Sequence, residues 1–106
     1  MDKETIERII KFSSDRNWRQ FHTPANLAKS ISIEANELLE CFQWDEEKFD
    51  INDVKEELAD VLIYCRYLLN VLNLDENTIV NSKLDINEKK YPIDKSKDNS
   101  KKYTKF

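Results

Sequence analysis

The 106-residue sequence contains no glycine and only two prolines. Without glycine there is no Asn-Gly or Asp-Gly pair to close a tight β-hairpin, which excludes a sheet of short strands and favours helices joined by short polar loops. Histidine occurs once, at His22. A single histidine rules out a di-iron centre built from paired Glu-x-x-His motifs and leaves too few nitrogen ligands for zinc. The two cysteines, Cys41 and Cys65, stand far apart with no Cys-x-x-Cys spacing. Both fall at apolar helical positions, which reads as free buried thiols in a reducing cytoplasm. No run of eighteen apolar residues occurs, so no segment is expected to span a membrane. Met1-Asp2-Lys3-Glu4 lacks the apolar core of a secretory signal. Positive charge is also short, with a formal net charge of −4, which argues against a basic nucleic-acid-binding surface.

What is present is an uneven distribution of charge. Glu34 to Asp60 holds eleven acids and two lysines, whereas Lys83 to Phe106 holds eight lysines and four acids. An acidic middle and a basic end suit metal ions and phosphates together. The length allows one domain with a modest core, so oligomerisation is expected. Four helices are predicted. The first covers Lys3 to Asp15 and carries Ile6, Ile9, Ile10 and Phe12. After a loop over residues 17–23, Thr23 caps a second helix whose first residue is Pro24 and which reaches about Gln43. An acidic loop over 44–52 leads to Asn52 or Asp53 as the cap of a third helix ending near Leu72. Asp75 opens the fourth, which runs to about Lys89 and is stopped by Tyr91-Pro92. The domain is thus drawn over residues 1–92, with 93–106 as a Lys-rich tail that composition alone marks as disordered.

At about 100° per residue, Leu27, Ile31, Leu38, Cys41 and Phe42 share one face of the second helix. Glu34 falls in the middle of that face and Glu37 at its flank, with Glu40 further round. A lone carboxylate there is costly without a cation or a raised pKa. On the third helix Val54, Leu58, Val61, Cys65, Leu68 and Leu72 form the expected core face, flanked by Glu57, Asp60 and Tyr64. Each helix therefore offers two carboxylates three residues apart, hence neighbours on its surface. If the helices pack as an antiparallel pair, four carboxylates converge. An oxygen-only ligand set favours Mg²⁺, Mn²⁺ or Ca²⁺, and Mg²⁺ leaves room for phosphate oxygens. Against this stands the plainer reading of a Glu-x-x-Glu as solvated surface charge, and of the chain as a non-catalytic helical module with an acidic groove for a metal or partner.

The segment Trp18-Arg-Gln-Phe-His22-Thr-Pro24-Ala-Asn26-Leu27 resembles the opening of the MazG-like all-α nucleotide pyrophosphohydrolases, in particular the dCTP pyrophosphatase branch. Glu34-Ala-Asn-Glu37-Leu-Leu-Glu40-Cys-Phe-Gln-Trp44 is similar to that family's first acidic helix, and Glu56-Glu57-Leu-Ala-Asp60-Val-Leu-Ile-Tyr64 to its second. Ser82-Lys83-Leu-Asp-Ile-Asn87, Lys90-Tyr91-Pro92 and Lys101-Lys102-Tyr103-Thr104 resemble its C-terminal signature. The blocks occur in order from about Trp18 to Thr104.

The resemblance implies an all-α, four-helix-type bundle that assembles as a dimer or tetramer, with sites completed by neighbouring subunits. It implies Mg²⁺-dependent cleavage of (deoxy)nucleoside triphosphates, dCTP or related dNTPs, to monophosphate and pyrophosphate. Glu34, Glu37, Glu57 and Asp60 match the family's metal ligands, with Glu37 or Glu40 as the general base. Lys83 and Asn87 match nucleotide contacts, Trp44 and Tyr64 pocket positions, and Trp18 the motif bordering the base. His22 and Tyr91 are further expected substrate contacts within the matching blocks. Ile9 departs from the pattern, standing where some dCTP-preferring relatives carry histidine, which leaves the preferred base open.

Overall fold

A computed structural model describes residues 1–98, all of whose regular elements are helical. They are α1 (Lys3–Asp15), a 3₁₀ turn (Trp18–Phe21), α2 (Pro24–Glu40), α3 (Ile51–Val71), α4 (Glu76–Lys90) and a short α5 (Ile93–Ser96). Each long helix starts on a side-chain cap that satisfies an otherwise orphaned backbone N–H. Asp2 accepts from the Thr5 amide at 2.8 Å, Thr23 from Asn26 at 3.1 Å, Asp50 from Asn52 at 2.8 Å and Asp75 from Thr78 at 3.0 Å. Pro24 occupies the first turn of α2, where its missing N–H costs nothing.

Three boundaries differ from the sequence reading. α3 is capped by Asp50, not Asn52 or Asp53, which lie inside its first turn. α2 stops at Glu40, because Cys41, Phe42 and Gln43 donate to carbonyls three residues back and tighten into turns. The start of the expected tail is ordered as α5, with Pro92 at its N-terminus; Lys101 to Thr104 lies outside the described residues. With no glycine available, asparagine takes left-handed positions at Asn17 (φ 55°) and Asn73 (φ 53°). Asparagine is the side chain that tolerates that region best after glycine, and Asn73 sits just beyond the Leu72 cap of α3.

The chain divides into two compact units, the first ending at Asn73 and the second beginning at Leu74. In the first, α2 lies along α3, and α1 packs on α3. Leu27 packs with Tyr67, Ser30 shares a cavity wall with Tyr64, and Glu37 approaches Glu57. As α2 advances its partners on α3 recede, so the pair is antiparallel. The buried core is small and consists of Ile9, Leu27 and Tyr67, joined by Ser13 and Arg66. The Tyr67 phenol donates to the Ile9 carbonyl at 3.2 Å, tying α1 to α3. Tyr67→Phe is expected to cost about 1 kcal/mol, read as a lower denaturant midpoint at unchanged slope. Two positions of the expected α3 core face, Leu58 and Leu72, are instead 44% and 46% exposed among the described residues. In the second unit, α4 leaves Ile79, Val80, Leu84 and Ile86 exposed.

Candidate active site

The antiparallel register of α2 and α3 sets the site. Glu34 and Glu37 are one turn apart on α2, and Glu57 lies across from them on α3. All three are half-buried, and one carboxylate oxygen from each falls within 4.8 Å of the others. Glu34 Oε2 and Glu57 Oε2 are buried without a hydrogen-bond partner. Buried acceptors of this kind call for a donor or a cation.

The electrostatic cost is visible in the acids themselves. Burial pushes the Glu34 carboxyl up to about 7, helped by the Glu37 carboxyl, with which it can share a proton, and by the charges of Glu37, Asp60 and Glu57. Glu57 is raised for the same reasons, burial first and Glu37 next. The Tyr64 phenol is raised by burial and by Glu34, Asp60 and Glu37. Asp60 is thus within electrostatic reach of the trio but outside its tightest cluster. Three convergent carboxylates, two with orphaned oxygens, fit a hard divalent cation.

A pH dependence follows. The folded-state pKa of Glu34 lies above its ordinary 4.5, so its contribution to stability is full below that value and is lost as the pH rises towards 7. In chelator, the melting temperature should fall across that window, and Glu34→Gln should flatten the fall. An equal slope in the two proteins would show that Glu34 does not carry the effect.

Beside the acids lie two cavities that share Trp18 and Tyr64. One, of about 610 Å³, opens between α1 and α3 and is walled by Ile9, Phe12, Ile63 and Tyr67, with Asp60 on its border. The other, of about 410 Å³, is lined by Phe21, His22, Asn26 and Ser30. Trp18 meets Phe12 edge to face at 5.6 Å, and His22 lies over Tyr67 at 4.6 Å. Burial, followed by the Arg19 charge, holds the His22 pKa below its usual value, so a neutral imidazole faces this cavity at neutral pH.

The structure therefore brings together Glu34, Glu37 and Glu57, with Asp60, Tyr64, Trp18 and His22 around them. It does not bring two expected residues in. Glu40 is exposed and outside the carboxylate cluster, and Trp44 projects from the loop between α2 and α3 at 89% exposure. Lys83, Asn87 and Tyr91 belong to the second unit, where the Tyr91 amide donates to the Asn87 carbonyl at 2.8 Å. The sequence reading missed Arg8, Phe12 and Tyr67 as cavity residues. Thr5, Arg8, Ile9 and Phe12 do fall at helical spacing along one stripe of α1, but only the apolar members were legible as a face. Among the described residues no helix is long and apolar enough to cross a membrane.

The MazG-like family profile matches residues 29–106. The dCTP pyrophosphatase 1 of Homo sapiens is 37% identical over 113 residues, covering 97% of this chain and 66% of its own. That of Bos taurus is 37% identical over 111 residues, with 95% and 66% covered. The chain thus spans just under two-thirds of the length of these curated relatives. The crystal structure of a pyrophosphatase from Archaeoglobus fulgidus superposes with a TM-score of 0.78 at 41% identity, covering 85% of this chain and 91% of that one.

Proposed function

The chain belongs to the MazG-like family, and on that premise we propose that it hydrolyses deoxynucleoside triphosphates, dCTP or a related dNTP, to monophosphate and pyrophosphate. The observation that carries the proposal is the convergence of Glu34, Glu37 and Glu57 with two orphaned buried oxygens. Glu34, Glu37, Glu57 and Asp60 would hold Mg²⁺, or Mn²⁺ with the same oxygen preference. The cation would supply charge compensation on the triphosphate oxygens and the leaving pyrophosphate.

The remaining work falls to the chain's own residues. Water attacks the α-phosphorus, a new phosphorus–oxygen bond forms, and the bond to the α–β bridging oxygen breaks, so pyrophosphate leaves. The water proton passes to a carboxylate. Position favours Glu37, inside the cluster, over Glu40, outside it. Trp18 and Tyr64 stand between the two cavities next to the acids, where an aromatic wall stacks a base, worth roughly 1–3 kcal/mol per ring. His22, neutral by burial, offers a hydrogen bond from the smaller cavity. Lys83, Asn87 and Tyr91 are proposed phosphate or sugar contacts in the assembled enzyme. Phosphorus NMR of the products from dCTP tests the reaction. Monophosphate with pyrophosphate supports it; diphosphate with orthophosphate contradicts it.

The proposal includes a homo-oligomer, dimer or tetramer. A core of Ile9, Leu27 and Tyr67 is small for a chain of this length, and domains of such size depend on added burial. α2 leaves Ile33 and Leu39 exposed, and α3 leaves Ile51, Leu58 and Leu62 exposed. Surfaces this apolar mark interfaces. Trp44, exposed in one subunit, would then reach the substrate of another.

A further inference from the structure

The 610 Å³ cavity is walled mainly by hydrocarbon and rings, and Arg8 is the one cationic side chain among the residues that line it. Its setting on α1 is unlike that of its neighbours. Lys3 approaches Glu7 at 3.9 Å, and Lys11 bonds Asp15, each one turn along the helix. Arg16 donates to the Phe12 carbonyl at 3.0 Å and lies 3.7 Å over the Phe12 ring. Among these four cationic side chains, that of Arg8 alone forms no hydrogen bond or ion pair within the described residues. It stands exposed on the stripe that also carries Thr5, Ile9 and Phe12 into the cavity wall. The Ile9 side chain presents only hydrocarbon there, and its carbonyl accepts from Tyr67.

We infer that Arg8 is a specificity-determining residue, whose guanidinium reads the edge of the base held in the α1–α3 cavity and selects bases with two adjacent acceptors. The inference rests on the pyrophosphohydrolase reading and names the substrate class within it. A guanidinium presents two parallel N–H donors at fixed spacing and no acceptor. It matches two neighbouring acceptors on one edge, as in cytosine (N3 and O2) or guanine (N7 and O6). Uracil and thymine place an N3–H donor between their carbonyls. Adenine sets its amino group beside N7 and N1. For each of these the fork meets one acceptor and one donor, and loses its second bond.

The test is kcat/KM for dCTP, dGTP, dTTP, dUTP and dATP with the full chain, Arg8→Ala and Arg8→Lys, each checked for helicity. The full chain should favour dCTP, dGTP or both over dTTP, and the ratio between the two shows which base is read. Arg8→Ala should lower the preferred substrate's kcat/KM by roughly 10- to 100-fold, through KM, and collapse its advantage over dTTP. Arg8→Lys should not restore it, because a point charge lacks the fork. A ranking unchanged in folded Arg8→Ala, or a full chain that prefers dTTP, dUTP or dATP, overturns the inference. If no triphosphate is turned over, the pyrophosphohydrolase reading fails separately. Arg8 is then judged by isothermal titration calorimetry of the full chain and Arg8→Ala with dCTP, dGTP and dTTP. A base preference lost in Arg8→Ala upholds it, and identical affinities with and without the substitution overturn it.

Discussion

Replacing Glu37 with glutamine should cut pyrophosphate release on the order of 100- to 1000-fold while raising the melting temperature of the metal-free protein. The two effects share one cause. Glu37 is the carboxylate that both Glu34 and Glu57 feel most strongly after burial itself. Its oxygen lies within 4.8 Å of theirs. Without a cation the three like charges oppose folding, and a neutral amide of the same shape removes that repulsion and donates a hydrogen bond to an orphaned acceptor. With a cation the same change removes a charged ligand and the proposed base, a loss of the size seen when one transition-state stabilising group is deleted. A gain of 1 kcal/mol in a domain of this size corresponds to about 4–8 °C. Steady-state pyrophosphate release and calorimetry in chelator read the two halves. Full activity would place the base and ligand elsewhere, and a lower metal-free melting temperature would mean that the carboxylates are not in conflict.

The second large effect concerns assembly. Leu58→Glu with Leu62→Glu should abolish the oligomer and leave a chain that melts many degrees lower or does not fold. Both leucines lie on one stripe of α3 with Ile51, and all three are between 44% and 54% exposed in the single chain. In the proposed oligomer, burying them between copies would add apolar area where the chain's own core is small, at roughly 1.5–3 kcal/mol per side chain. Two buried carboxylates at the same place are unfavourable. The unsubstituted protein should scatter light as a multiple of 12.7 kDa and melt at a temperature that rises with concentration. A monomer at micromolar concentration with a concentration-independent transition would contradict this part of the account.

Local chemistry made much of the fold legible. Thr23-Pro24 and Asp75 are capping sequences, and they begin α2 and α4 in the structure. Asp50 was obscured because Asn52 and Asp53 are equally good caps by type, and only the backbone decides among them. The acid site was legible for a related reason. Glu34 in the middle of an apolar helical face is conspicuous, and with Glu57 and Asp60 at the flank of the next helix's apolar face convergence is expected once the two run antiparallel. The cavity was not legible, since it depends on where α1 docks. That placement is fixed by a Tyr67–Ile9 bond spanning 58 positions of sequence. Leu58 marks a further boundary of inference. Periodicity identifies an apolar face, but the face of a neighbouring copy satisfies it as well as the chain's own core does.

The most direct test of the central claim is pyrophosphate release from dCTP by the full chain, freed of metal by chelation and then supplied with Mg²⁺. No release is expected in chelator, with restoration by Mg²⁺, monophosphate formed in equal amount and no restoration in Glu34→Gln. Release that proceeds equally in chelator, or that survives Glu34→Gln unchanged, would contradict a reaction built on the Glu34–Glu37–Glu57 cluster.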